Sequence, residues 1–509
     1  MKRSTLFNNL IQKINLPLLL FLIFFLNVKF VVKLVAIVVF MIYSRNLHLG
    51  LSWKKSRLPF FYALIILIEC FKYLIITRVY SLPYLLVFTL GLIQWLMCLL
   101  AIHYLKLTIE RNEQEKIQYT IKAFYFLNFI VSFFFLSLLI IHPAWLAFWG
   151  HGTELSFSHP SAGDAILGLS FDASTVNAAI NCLGLIYFLH RKDNLFAILC
   201  TLVIIFCTSN LIFLLTCVVL VAMIITVKSK MLRLRSIAFA LGLIILYALF
   251  SPRNRVYMHD YFVQLYVVNK EKQPIDTSEY PLESDDSNLV IARRLRMQND
   301  SIYGISDKKL EQAIGNLMSF RGLREDPKTG YALVPESIYQ TKPGKLVSFV
   351  QTFYYLKHSM KQFLFGSGIG NFSSKLAFRA AGVRTSGSYP AKYRYASRDF
   401  QHNHFLTFLN YYGADASKHS VLNYPFSVYN QVLGEYGFIG LIIFALFYLG
   451  YFLRAYRKLT FGKYIILALL GFFLTDYWFE YFSLVIVFEL LILVNLSEAS
   501  GPPPSIHPG

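Results

Sequence analysis

Residues 194–227, NLFAILCTLVIIFCTSNLIFLLTCVVLVAMIITV, decide the class of fold because they contain no charged side chain. A soluble protein rarely carries so long an apolar stretch, since much of it would face water. Two helices separated near Ser209 would each satisfy their own backbone hydrogen bonds in lipid. The stretch therefore predicts two consecutive membrane-spanning helices.

Similar apolar runs recur along the 509-residue chain, which is 56% apolar and has a mean hydropathy of +0.52. The pattern predicts an all-α polytopic membrane protein with about 12 transmembrane helices, the count ranging from about 10 to 12 because several runs are short for a bilayer core. The predicted spans lie at 14–28, 30–43, 59–76, 84–105, 119–141, 173–189, 193–208, 210–227, 236–250, 427–453, 463–477 and 479–495.

These runs divide the chain into four predicted parts. Residues 1–250 would form an N-terminal transmembrane bundle of about nine spans. Residues 251–426 would form one large extracytoplasmic loop with short helices, among them 307–320 and 345–364, the latter amphipathic. Residues 427–496 would form the C-terminal transmembrane helices, and 497–509 a disordered tail. The charged start of the chain is interpreted as leading into an uncleaved first span.

Short loops rich in lysine and arginine alternate along the chain with short loops that contain almost none, and this pattern predicts the orientation in the membrane. The loops 44–58, 106–118, 190–192, 228–235 and 454–462 are basic, whereas the intervening short loops contain only Arg78. Basic loops face the cytoplasm. We therefore expect both termini in the cytoplasm and the large loop outside it, in the periplasm or at the cell exterior.

The formal net charge of +20 would suggest nucleic acid in a soluble protein, but the chain contains no nucleic-acid-binding motif, so we expect no such partner. Part of the charge lies between 340 and 418, where eleven Lys/Arg accompany only Asp399 and Asp415. Arginine binds phosphate through its planar fork. The cluster predicts an anionic partner, either a lipid-linked pyrophosphate or, more simply, membrane lipid headgroups.

Three short motifs follow within or just after this cluster. GSGIGNF at 366–372 could turn backbone N–H groups toward an anion, although such glycines are common in loops. QHNHFLTF at 401–408 contains His402 and His404, which could take a proton from a hydroxyl group near neutral pH. The pair lacks partners at metal-ligand spacing, so we expect no metal and no cofactor. NQVLGEYGFIGLIIF at 430–444 places Glu435 at the membrane entry, as a catalytic group or as part of a packing motif.

The three motifs follow about nine predicted spans and come in the order G-x-G-x-x-N-F, H-N-x-F-L and E-x-G-x-x-G. This set of motifs, in this order, resembles that of the O-antigen ligase/polymerase family. The resemblance implies a metal-independent membrane glycosyltransferase that transfers or polymerises a glycan in cell-surface polysaccharide biosynthesis. Its donor would be an undecaprenyl-pyrophosphate-linked glycan, and its acceptor a glycan or a lipid. The implied catalytic base is His402, with His404 as second choice, and the implied pyrophosphate ligands are Arg394, Arg398, Arg253 and Arg255.

Three questions stay open at this level. His402 precedes Glu435 by 33 residues, a longer interval than in the family, so His419 is a further candidate for the histidine. The alternative function is a flippase or transporter of lipid-linked oligosaccharides, although transporters usually have two related halves and little outer domain. Glu69 and Lys72 could pair on one helix face within a predicted span, either to line a substrate path or only to neutralise each other.

Overall fold

The computed structural model describes residues 12–26, 29–43, 57–77, 81–149, 162–250, 343–382, 390–405, 407–408 and 421–499. Within these ranges the chain is all-α, as predicted. The helices of the first half are α1 (Leu16–Phe25), α2 (Phe30–Tyr43), α3 (Arg57–Lys72), α4 (Leu82–Arg111), α5 (Gln114–Ile141), α6 (Ser174–His190), α7 (Asn194–Phe206), α8 (Asn210–Thr226) and α9 (Lys230–Phe250).

The second half contains both short and long helices. They are α10 (Gly344–His358), α11 (Met360–Phe365), α12 (Lys375–Ala380), α13 (Arg398–Phe400), α14 (Val428–Ile443), α15 (Gly450–Leu453), α16 (Gly462–Phe472), α17 (Trp478–Tyr481) and α18 (Ser483–Ala499). π-helical turns extend α3 over Tyr73–Thr77, follow α13 over Gln401–Phe405, and join α14 to α15 over Phe444–Leu449.

Each predicted apolar run coincides with a helix or a close pair of helices, but only some of these helices are long enough to cross a membrane. In the described part of the chain five qualify by length and composition, namely Leu58–Ile75, Leu82–Arg111, Gln114–Ile141, Lys230–Phe250 and Val428–Leu453. Helices such as Leu16–Phe25 and Gly462–Phe472 have 10–17 residues. At about 1.5 Å per residue they fall short of the roughly 30 Å hydrocarbon core. The structure is therefore all-α in its described residues and contains helices suited to a membrane, and twelve spans stay a prediction.

The chain divides into two compact units. The first consists of Met1–Ile66, Gln94–Val256 and Ile443–Gly509, and the second of Leu67–Ile93 and Tyr257–Ile442. Residues 67–93, which the sequence assigns to the N-terminal transmembrane bundle, thus belong to the same compact unit as residues of the predicted extracytoplasmic loop. The described residues of the first unit contain most of the long helices.

Buried amide side chains hold together one part of the first unit. Asn177 on α6 accepts a hydrogen bond from Asn128 Nδ2 at 2.9 Å and donates to Ser132 Oγ at 2.9 Å and to the Ile166 oxygen at 3.1 Å. Asn128 Oδ1 accepts from the Leu169 N–H at 2.9 Å. These bonds satisfy the irregular backbone between α5 and α6, which would otherwise be costly to bury.

The predicted amphipathic helix at 345–364 is two helices in the structure. Ser359 has an extended backbone, and its hydroxyl accepts a hydrogen bond from the Gln362 N–H at 3.1 Å, which caps α11. The buried face of α10 is partly polar and includes Ser348, Gln351 and Thr352. Phe353 of the same helix is largely exposed.

Candidate functional site

The glycine motif at 366–372 forms a tight turn in the second unit. Gly366, Gly368 and Gly370 have φ angles of +65°, +99° and +70°, which glycine alone adopts readily. The turn is anchored to α14, because the N–H groups of Ser367 and Gly368 donate to the Gly434 and Glu435 oxygens, each at 2.9 Å. The backbone of the first motif is thus bonded directly to that of the third.

The anion held by this turn is a side chain of the protein itself. Glu69 is 1% exposed, and its Oε2 accepts a hydrogen bond from the Ile369 N–H at 3.1 Å. The sequence indicated only that the glycine motif could turn backbone N–H groups toward an anion. In the structure the Ile369 N–H binds the Glu69 carboxylate, and the neighbouring N–H groups bind carbonyl groups of α14.

Lys72 completes this arrangement, and the predicted pair on α3 is formed. Its ammonium donates to Glu69 Oε1 at 3.0 Å, to the Phe365 oxygen at 2.6 Å and to the Glu435 oxygen at 2.5 Å. An ammonium has three donors, and each of them has an acceptor here. The pair therefore joins α3 to the glycine turn and to α14, which favours an anchoring role over a substrate path.

Gly437 interrupts α14 beside this cluster. Its φ and ψ are +66° and −163°, which is not helical backbone. A β-carbon there would lie 2.6 Å from the Gly366 nitrogen and 2.6 Å from the Leu364 oxygen. The carbonyl groups of Gly434 and Glu435 directly precede this interruption, and the glycine turn and Lys72 bind them.

His404, from the second motif, lies in the π-helical turn and is 0% exposed. Its Nε2 is 3.1 Å from the main-chain carbonyl oxygen of Ser348. A carbonyl oxygen can only accept a hydrogen bond, so Nε2 carries the hydrogen. Its Nδ1 then accepts from the Ser373 hydroxyl at 2.6 Å. Ser373 directly follows the glycine motif, and Phe372 packs on the imidazole with ring centroids 4.8 Å apart. The second motif is thus bonded to the residue next to the first.

The surroundings of His404 keep its ring neutral. Burial lowers the pKa of the imidazole to about 3, the hydrogen bond to Ser348 raises this pKa, and the nearby Lys345 lowers it. Thr352 Oγ1 also lies 3.1 Å from Nε2. With both ring nitrogens bonded and no exposed surface, the geometry gives His404 a positioning function.

His402, the first choice for the base, lies two residues earlier in the same π-helical turn. His419 lies outside the described residues. In the described part of the chain, no group of three or more His, Cys, Asp or Glu side chains could hold a metal ion.

The predicted arginine ligands occupy different settings. Arg394 is partly buried and packs on Gly382, where a β-carbon would lie 2.8 Å from its Nε. Arg398 is exposed at the start of α13. Arg253 and Arg255 lie outside the described residues.

A further arginine was missed from the sequence. Arg379 lies in the last turn of α12, its backbone oxygen accepts from the Gly382 N–H at 3.1 Å, and its buried Nε has no hydrogen-bond partner within the described chain. Both Arg379 and Arg394 therefore adjoin Gly382. Only the high density of basic residues could have suggested Arg379.

Tyr395 connects this arginine segment to the glycine motif. Its hydroxyl donates to Asn371 Oδ1 at 2.8 Å, its N–H donates to the Ala380 oxygen at 3.0 Å, and its ring lies 5.0 Å from that of Tyr84. Burial raises the pKa of Tyr395, so its hydroxyl stays protonated and donating. The arginine next to it in sequence, Arg394, is thereby fixed relative to the glycine turn.

A scan against protein-family models and searches of curated proteins and of solved structures gave no match. The function is therefore inferred from the residues and their geometry.

Proposed function

We propose that the protein is a metal-independent membrane glycosyltransferase that transfers or polymerises a glycan from a polyprenyl-pyrophosphate donor in cell-surface polysaccharide biosynthesis. One observation carries the proposal. The three motifs that resemble the O-antigen ligase/polymerase family lie far apart in sequence, yet hydrogen bonds join them through Gly434 and Glu435 to the glycine turn and through Ser373 to His404.

The proposed site lies at the extracytoplasmic face of a bacterial inner membrane, with both termini in the cytoplasm. The positive charge of the short loops supports this orientation. The exposed apolar side chains of α10 and α11, Leu346, Phe353 and Met360, are suited to the membrane interface. A lipid-linked donor would reach the site from the bilayer.

In the proposed reaction, an acceptor hydroxyl oxygen attacks the anomeric carbon of the donor glycan. The bond from that carbon to the pyrophosphate oxygen breaks, and the pyrophosphate leaves with the electron pair. His402 takes the hydroxyl proton, while buried, neutral His404 orders the turn that carries it. Attack from the face opposite the leaving group inverts the anomeric carbon, as the family resemblance implies.

Arginine side chains would stabilise the charge that develops on the departing pyrophosphate. Arg394 and Arg398 are the proposed ligands, and the buried Nε of Arg379 makes it a third. Guanidinium forks suit a diphosphate better than lysine does. Arg253 and Arg255 stay predicted ligands in the part of the chain that the structure leaves undescribed.

One observation favours the alternative, a flippase or transporter of lipid-linked oligosaccharides. The interruption of α14 at Gly437, beside the buried charges of Glu69 and Lys72, has the form of the discontinuous helices found in transporters. In a transferase the same interruption serves to hold the glycine turn.

Gene replacement in the source cell tests the proposal. The variants are His402→Ala, His404→Gln, His419→Ala and the triple change, with exposed His358→Ala on α10 as the matched control, and immunoblots verify equal protein levels. Surface glycan is read on a gel, and lipid-linked glycan is extracted. Loss of attached glycan with retained lipid-linked polymer indicates a ligase, and single attached repeats indicate a polymerase.

Other outcomes contradict the proposal. Wild-type surface glycan in every variant, including the triple change, removes the histidine base. Lipid-linked glycan that accumulates only on the cytoplasmic side after gene deletion indicates a transporter.

A further inference from the structure

The first unit contains a buried carboxyl group that glycan transfer does not use. Glu489 lies in α18 and is 0% exposed. The Tyr62 hydroxyl on α3 donates a hydrogen bond to its Oε1 at 2.5 Å. Its Oε2 is buried and has no hydrogen-bond partner within the described chain. The carboxyl is therefore satisfied on one side only.

A second phenol lies beside this carboxyl. The Tyr448 hydroxyl is fully buried and interacts with Glu489 both electrostatically and at hydrogen-bonding range, although it forms no hydrogen bond of standard geometry in the part of the chain that the structure covers. Phe479 packs against both phenols, with ring centroids 6.5 Å from Tyr62 and 5.1 Å from Tyr448. Aromatic rings thus replace water around the three oxygen-bearing groups.

No cation neutralises the carboxyl within the described residues. The other titratable groups in electrostatic range are the Cys98 thiol and the Tyr451 phenol. Lys33 acts on Cys98, but its ammonium donates to the Phe25 oxygen at 2.8 Å. An ionised Glu489 would therefore be a lone negative charge inside an apolar helical bundle, which is strongly unfavourable.

We propose that Glu489, Tyr62 and Tyr448 form a proton-binding site in the helical bundle. The proton resides on Oε2 and faces the Tyr448 oxygen, while Oε1 acts as the carbonyl oxygen that accepts from Tyr62. With this assignment the Tyr62 hydroxyl donates, the protonated carboxyl group accepts at Oε1 and donates at Oε2, and the Tyr448 oxygen accepts. Each group has the donor or acceptor that its part requires. Protonatable side chains inside a membrane bundle commonly mark proton pathways, and this site would be one station of such a pathway.

A metal cation does not fit the same place. The contact of 2.5 Å between the Tyr62 oxygen and Oε1 leaves no space for an ion between them. Hard cations take about six oxygen ligands, and these three side chains supply fewer. The site is independent of the proposed glycan transfer, because its residues belong to the first unit and the described residues of the transferase site belong to the second.

Infrared spectroscopy of the purified full-length protein in lipid tests the proposal. A protonated carboxylic acid has a carbonyl stretch at higher frequency than a carboxylate or the amide backbone. We expect such a band at neutral pH in the wild type, shifted in heavy water and missing in Glu489→Gln. In Tyr62→Phe the band should move to higher frequency, since its carbonyl loses a hydrogen bond.

Glu110→Gln is the matched control, because Glu110 is an exposed glutamate at the end of α4, and its replacement should leave the band unchanged. Identical acid bands in the wild type and Glu489→Gln would overturn the proposal. So would a band that disappears when sodium chloride replaces a large organic cation at constant pH, because the ligand would then be a metal ion. Glu489→Gln is nearly isosteric with the protonated acid, so its folding can be checked separately by thermal unfolding.

Discussion

The Lys72 ammonium donates a hydrogen bond of 2.5 Å to the main-chain oxygen of Glu435, which lies 363 positions later in the chain. The same ammonium binds the Phe365 oxygen, so one side chain joins α3, the end of α11 and the interrupted helix α14. The glycine motif and the Glu435 motif depend on this residue for their relative position.

Replacing Lys72 with methionine should destabilise the protein strongly. The change leaves Glu69 buried without its cation and removes one donor each from the Phe365 and Glu435 carbonyl groups, of which Glu435 keeps the Gly368 N–H. Breaking a buried pair by removing one partner costs about 3–5 kcal/mol. The free energy of unfolding, measured by reversible unfolding in mixed micelles, should fall by that amount.

Lys357→Met is the matched control for this prediction, because Lys357 is exposed on α10, and its replacement should have little effect. The double variant Glu69→Gln/Lys72→Met should be more stable than Lys72→Met alone, since it removes the uncompensated charge. Equal unfolding free energies for Lys72→Met and Lys357→Met would contradict the anchoring role.

Gly437→Ala should also destabilise the protein. Alanine at a φ of +66° is strained, and its β-carbon would lie 2.6 Å from the Gly366 nitrogen, a backbone atom that cannot easily move. The expected cost is about 1–3 kcal/mol. The thermal unfolding midpoint in detergent measures it.

Gly242→Ala provides the comparison, because nothing lies within 4 Å of a β-carbon there. Alanine in the middle of α9 should keep or raise stability, by up to about 1 kcal/mol. If Gly437→Ala proves as stable as Gly242→Ala, then α14 continues unbroken at Gly437.

Stability should depend on the protonation of His404. Its pKa is about 3 in the folded protein and about 6.5 in the unfolded chain, so only the unfolded state binds the proton between these values. The contribution is complete above the unfolded pKa and is lost as the pH falls toward 3. In this window, wild-type stability should fall about 1.4 kcal/mol per pH unit more steeply than that of His404→Gln.

The measurement for His404 is the unfolding free energy at a series of pH values from 4 to 7. Exposed His358→Gln serves as the control and should keep the wild-type slope. Equal slopes for His404→Gln and the wild type would show that the imidazole is not held neutral.

Arg394→Ala should reduce glycan transfer under the proposed mechanism. Loss of one group that stabilises developing charge costs about 10²-fold in rate. Arg394→Lys should recover only part of the activity, because lysine lacks the planar fork. The assay measures the release of polyprenyl pyrophosphate from lipid-linked glycan by the purified protein. Exposed Lys392→Ala is the control, and equal rates for Arg394→Ala and Lys392→Ala would exclude Arg394 as a ligand.

The apolar runs were sufficient to predict the helices. Residues 194–227, for example, form α7 and α8 with a break between Phe206 and Asn210, as their composition indicates. An apolar run forms a helix because of the residues within the run itself. Such a helix can therefore be predicted from a single sequence. The interruption at Gly437 was not predicted, because glycine also occurs in continuous membrane helices.

The contacts of the site could be predicted only in part. The pairing of Glu69 with Lys72 follows from their spacing on one helix, but their bonds to Ile369 and Glu435 do not. These bonds join positions 300 and 363 residues apart, and spacing carries no information over such intervals. The burial of His404 was missed for the same reason, since its partners Ser348 and Ser373 lie on other segments.

The orientation of the site segment tests the central claim most directly, because glycan transfer from a translocated donor requires residues 343–408 to lie outside the cytoplasm. The measurement is labelling of intact cells by a membrane-impermeant maleimide, with Lys392→Cys in that segment and Glu110→Cys in a predicted cytoplasmic loop, each corrected for the wild-type cysteines. The account predicts that Lys392→Cys is labelled in intact cells and Glu110→Cys only after permeabilisation. The reverse pattern would contradict it.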